Sequence, residues 1–331
     1  MGLNEKFFKS ADEEAEPFFN TVLYNGTTGS SITIDAGFAP DLVWLKRINN
    51  GAASNTLVDT LRGANSRIFS DTQGASEANG SFAFNSNGTF QTNNVASQSK
   101  SSSAHVAWCW KAGGAAVFND EGDEDSYVSA NVANGFSIVK GDSTATGSDV
   151  KTVGHGLDSA PELVIMKNIN GIDDWFVYSS TTGVSKYLPL NTTEGTRNWS
   201  SAGMVVNSTE VGMRTNSTGT WSNMIAYCFH SVAGVSKVGS FVGTGQAGKT
   251  ETLDFEPSWI MIKRTSSSGA GWYIIDNKRS TASVKKDYLQ ANSNGEEAAA
   301  GSGITFNIDG FTFSGASFNT SGATHIYYAI A

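Results

Sequence analysis

The chain has 331 residues, 16% of them charged, with 36 glycines, 5 prolines and a formal net charge of −9. That length allows two or three domains, and an acidic balance with no Lys/Arg cluster argues against nucleic acid or an anionic membrane as a partner. No apolar run approaches a membrane span, and Met1–Phe8 lacks the apolar core of a signal peptide.

Residues 1–16 read as an N-terminal arm. Ser10-Ala11-Asp12-Glu13 has capping-box spacing, but Pro17 ends any helix after a turn or two. Phe7, Phe8, Phe18 and Phe19 are too apolar for a free tail, so they either pack on the first domain or serve as an attachment surface for a partner. Beyond the arm, short apolar runs are separated by Gly, Ser, Thr and Asn, the pattern of an all-β protein with tight turns.

Residues 17–111 read as a first β-sandwich of jelly-roll type. Strands are expected at 21–24, 31–34, 42–46, 57–61, 67–69, 82–84 and 106–110, with turns at Asn25-Gly26 and Asn87-Gly88. Residues 112–127 read as an acidic linker. Asn119, Glu121, Asp123 and Asp125 could offer oxygens to Ca²⁺, but their spacing departs from the EF-hand loop and a solvated linker is the simpler reading. Residues 128–233 read as a second sandwich with Trp175–Tyr178 as its central strand. Residues 234–331 read as a third, with Trp272–Asp276 in that place.

A recurring stretch supports this threefold division. Phe38-Ala39-Pro40-Asp41-Leu42-Val43-Trp44-Leu45-Lys46 returns at 157–167 and 255–263, and Lys46, Lys167 and Lys263 each lie six residues after Pro40, Pro161 and Pro257. A proline that opens a strand costs no ladder hydrogen bond. The runs ending in Trp110, Phe229 and Ile330 also match, at 63, 61 and 66 residues from those lysines to Cys109, Cys228 and Ala329. In the runs ending in Trp110 and Phe229 large residues alternate with small ones and neither face is charged, which predicts a central strand covered on both sides. Cys109 and Cys228 therefore read as buried free thiols from a reducing cytoplasm.

Residues that might carry chemistry were weighed against structural roles. Gly243-Thr244-Gly245-Gln246-Ala247-Gly248-Lys249-Thr250 fits the phosphate-loop pattern, but Pro257 follows too soon for the helix that such a loop needs, so it reads as a hairpin. His105, His155, His230 and His325 show no metal-ligand spacing, and no nucleophile signature is present. Asp59 and Arg62 match Asp276 and Arg279, with Tyr178 and Thr181 at the expected place in the second domain. A buried pair bracing a turn is the favoured explanation. Nothing selects a carboxylate pair for glycoside hydrolysis. Trp199 and Trp221, with Trp175 and Trp272, are the residues assigned to glycan contact, although core packing is the simpler role for the last two.

The pattern F-x-P-D-L-V-W-L-K, followed by D-T-L-R-G and V-A-W-C-W-K-A-G-G-A-A, resembles a repeat domain of tail-fibre and other virion structural proteins of marine bacteriophages. V-G-H-G-L-D-S-A-P, I-A-Y-C-F-H-S-V-A-G and S-G-A-T-H-I-Y-Y-A-I-A extend the likeness over nearly the whole chain past residue 17. The resemblance implies a non-enzymatic virion component without metal or cofactor, assembled in the host cytoplasm. Such a component would be a tail fibre or receptor-binding protein contacting host surface glycans, with the arm holding it to other virion proteins. The alternative is a capsid decoration or tail-assembly protein. Fibres are usually trimers, so the chain would form a homotrimer or imitate one with its three copies.

Overall fold

The computed structural model describes residues 17–27, 31–80, 82–92, 97–141, 150–199, 203–214 and 224–331. Phe7 and Phe8, and Trp221, lie outside them. The described chain is all-β, with one 3-10 turn at Val132–Asn134.

Three large sheets carry the architecture. In the first, the strands run in the order Phe19–Asn25, Ala104–Trp110, Leu42–Arg47, Thr56–Asp59, Ser66–Phe69, Glu77–Ala78. The second repeats this core order as Phe136–Gly141, Met224–Phe229, Leu163–Asn168, Phe176–Ser179, Lys186–Pro189. The third repeats it as Ser236–Val242, Thr324–Ile330, Trp259–Arg264, Trp272–Asp276, Val284–Gln290. Registers coincide as well. Leu42, Leu163 and Trp259 lie opposite Trp110, Phe229 and Ile330, and on their other side opposite Asp59, Ser179 and Asp276.

The three closing strands sit in the middle of their sheets and are buried on both faces, as the alternation of large and small residues in the first two predicts. One face covers each sheet's own cluster, with small residues in the first two sheets, Ala107 and Cys109, Ala226 and Cys228, and with Ala329 beside the large Tyr327 in the third. The large face does something the sequence did not disclose. Trp108 and Trp110, Tyr227 and Phe229, and Tyr328 and Ile330 all enter one cluster common to the three sheets. Each sheet thus keeps a cluster of its own on one face and shares one interior with the other two on the opposite face.

The acidic stretch is not a free linker. Val117–Asn119 and Ser126–Asn131 pair as a hairpin that extends the second large sheet, and the acidic run forms its turn. Phe18 and Phe19 are not arm residues either. Phe18 belongs to the common cluster, and the Phe19 ring lies 4.9 Å from Trp110 and 5.9 Å from Trp259. Their apolar character is spent inside, which removes them from an attachment surface.

Candidate functional site

The repeated lysine is the first residue to follow. Lys46, Lys167 and Lys263 stand one residue before the ends of their strands, with side chains almost wholly buried. Lys46 Nζ donates to the Ala53 and Ser293 carbonyls at 3.0 and 2.8 Å. Lys167 Nζ donates to Gln73, Asn168 and Gly171, at 3.1, 2.8 and 3.1 Å. Lys263 Nζ donates to Ala270 at 2.6 Å and stands 5.6 Å over the Trp272 ring. Among the described residues none has a carboxylate within 4.0 Å. Burial lowers their pKa values to about 8, 8 and 7.

These lysines mark three seams that repeat one bonding pattern in a ring. At equivalent positions, Asn55 Nδ2, Trp175 Nε1 and Trp272 Nε1 each donate at 2.9 Å to a carbonyl of the preceding sheet: Gln290, Phe69 and Pro189. Beside them Ala53, Asp173 and Gly269 donate backbone N–H to Asn294, Gln73 and Thr193 at 2.8, 3.1 and 2.9 Å. In return Glu297, Ser76 and Thr196 donate to Ile48, Ile169 and Thr265 at 2.9, 2.8 and 2.9 Å. Trp175 and Trp272 thus hold seams and are not glycan contacts: both are at most 1% exposed.

The acid–base pairs lie deeper. Asp59–Arg62 and Asp276–Arg279 are ion pairs at 2.6 Å with all four side chains at most 1% exposed. Each carboxylate also accepts a bond from the next closing strand, Asp59 from Tyr227 Oη at 2.8 Å and Asp276 from Trp108 Nε1 at 3.2 Å. The strand register places Ser179 and Thr182, one residue beyond Tyr178 and Thr181, in the corresponding positions of the second sheet. There the pattern breaks. The Ser179 hydroxyl is buried without a hydrogen-bond partner, and the Tyr328 hydroxyl, which stands where Tyr227 and Trp108 do, has none of normal geometry. The pairs brace the interior and open on no cleft.

Other residues singled out above resolve into structural roles. Gly243–Thr250 is a loop running into the strand Thr250–Thr252, and Lys249 is ion-paired with Glu251 at 2.6 Å, so no helix N-terminus is present to hold a phosphate. His105 and His325 stack on Tyr24 and Phe241, with centroids at 5.2 and 4.7 Å, and burial lowers both to a pKa of about 4. Burial likewise raises both thiols, Cys228 to about 12. Among the described residues no cluster of three His, Cys, Asp or Glu side chains could hold a metal ion.

A cavity of about 390 Å³ opens on the side of the third sheet that faces away from the common interior. Tyr273, Tyr288 and Phe318 wall it, with ring centroids 5.0 to 5.7 Å apart. Arg264 and His325 lie at its other end, and small residues, Ala299 to Gly301, border it. Phe318 holds φ 62°, a left-handed conformation that a bulky residue rarely adopts. Sequence reasoning missed this site because its residues come from distant strands, and its aromatic residues looked like ordinary core. In the second sheet the aromatic pair at the corresponding places, Phe176 and Tyr187, is covered by Trp199, with rings 5.2 and 4.4 Å away.

Residues 14–331 match the family described as "Domain of unknown function (DUF7483)". The chain belongs to that family. No curated protein and no solved structure matches it. The matched span includes all three large sheets.

Proposed function

We propose that this chain is a non-enzymatic bacteriophage virion protein, a tail fibre or receptor-binding component that contacts host surface glycans. In this reading three jelly-roll-like sandwiches, copied from one unit, take the place of a homotrimer within a single chain. One observation carries it: the buried ionisable groups of the interior are committed to seams and braces, leaving the outward faces for contact. The motif resemblance supplies the virion setting, and the aromatic cavity of the third sheet supplies a surface of the kind that receives sugars. A glycan array probed with the full chain tests it. Binding to a subset of bacterial surface polysaccharides is expected, and silence across them would contradict it.

A second reading, a decoration or tail-assembly protein, is favoured by the hairpin at the edge of the second sheet. Val117, Phe118 and Tyr127 are 63%, 58% and 56% exposed there, and the two rings lie 6.0 Å apart. An exposed apolar edge strand suits a protein partner. If the arm holds the chain to other virion proteins, particles assembled with a chain lacking residues 1–16 lose it. Retained incorporation would remove the arm from the account.

A further inference from the structure

We propose that the cavity beside Arg264 seats a carboxylate-bearing sugar, the acidic unit of a charged surface glycan. This rests on the glycan-contact reading and narrows it to one ligand class and one place.

The cation is the first ground. Arg264 Nη2 donates to the Ser268 carbonyl at 2.6 Å, while its Nε is buried without a partner. Among the described residues no carboxylate lines the cavity, in a protein whose net charge is −9. A guanidinium left part-satisfied in a recess is completed by a planar carboxylate, which accepts two parallel N–H bonds.

The corresponding positions act as an internal control. Arg47 lies opposite His105 as Arg264 lies opposite His325. Yet Arg47 is buried, and its Nε and Nη2 bond to Gly51 at 2.9 and 2.5 Å and to Ala52, carbonyls of its own loop. In the second sheet the position is Asn168, neutral and bonded to Asp173 at 2.9 Å. Of these three corresponding residues, Arg264 is the arginine that lines this cavity.

The walls suit a sugar ring. Tyr273 and Tyr288 offer flat apolar faces with a polar tip, which match the C–H face and hydroxyls of a pyranose. The left-handed backbone at Phe318 is the kind of local strain that collects at ligand clamps. Gly301 borders the cavity, and a Cβ there would meet nothing within 4 Å, so the approach is open. The site binds without cleaving: hydrolysis of a glycoside calls for two carboxyl groups, and His325 is a buried neutral ring whose Nδ1–H donates to Ala323 at 3.0 Å.

Calorimetric titration of the full chain with glucuronate and with glucose tests the proposal. Glucuronate is expected to bind, with glucose at least about tenfold weaker, as loss of a charge-assisted pair implies. Arg264→Gln should cut glucuronate affinity by a similar factor, and Gly301→Trp should cut it by filling the entrance, with thermal midpoints unchanged in both. Should Arg264→Gln fail to fold, the comparison of the two sugars and the Gly301→Trp variant still decide. Equal binding of both sugars, or binding of neither while the glycan array is positive, overturns the acidic-sugar site and leaves glycan contact standing. A silent array overturns the wider reading.

Discussion

At the residue scale, the three seam lysines have carbonyl partners but, among the described residues, no carboxylate within 4.0 Å. Their folded pKa values, about 7 to 8, lie below the ordinary lysine value of about 10.4. Between those limits the unfolded chain binds more protons, so stability should rise with pH from about 7 to about 10 and level off above. Thermal unfolding across that range checks the sign, and Lys263→Met should flatten the slope. Arg62→Met leaves Asp59 buried with hydrogen bonds from Tyr227 and the backbone N–H of residue 62 but with no cation, and should cost about 3–5 kcal/mol in chemical denaturation. The broken third position makes a sharper test. Ser179→Asp alone buries an unpaired charge, whereas Ser179→Asp with Thr182→Arg rebuilds the pair seen twice elsewhere and supplies an acceptor near Tyr328. A double-mutant cycle should give a favourable coupling, and additivity would mean that the threefold correspondence does not extend to this position.

At the element scale, the proline-led strands and closing strands were legible because each carries its own landmark, a proline, a lysine or a run of alternating large and small residues. Their registers followed. What the sequence could not give was the direction in which the large face points. Trp108, Tyr227 and Tyr328 look like private core residues until the three strands are placed together. Spacing along the chain points to Tyr178 and Thr181 for the second Asp–Arg position, one residue short of the place the sheet gives it, because Leu163 pairs with Ser179. The acidic run hid a hairpin, since a three-residue edge strand such as Val117–Asn119 carries too few residues to show a period. Trp199 is legible only in part: its ring packs on Tyr187 and Phe176, which a sequence cannot tell from stacking on a sugar. The seam tryptophans give a prediction at this scale. Trp272→Ala removes a fully buried ring and its bond to Pro189, and should cost about 3–5 kcal/mol while weakening the whole chain rather than one sheet.

At the scale of the molecule, three sheets with the same strand order meet at three seams, each carrying reciprocal backbone bonds, a side-chain bond from the start of a strand and a buried lysine. A single sheet would present Trp259, Trp272 and Tyr328, or their counterparts, to water. Stability is therefore shared: no sheet can leave the ring without exposing the faces of the other two. Scanning calorimetry of the full chain, with the calorimetric enthalpy compared with the van't Hoff enthalpy, tests this most directly. One transition with equal enthalpies is expected. Three resolved transitions, or a Trp272→Ala variant that shifts one of them and leaves the others in place, would contradict a common interior.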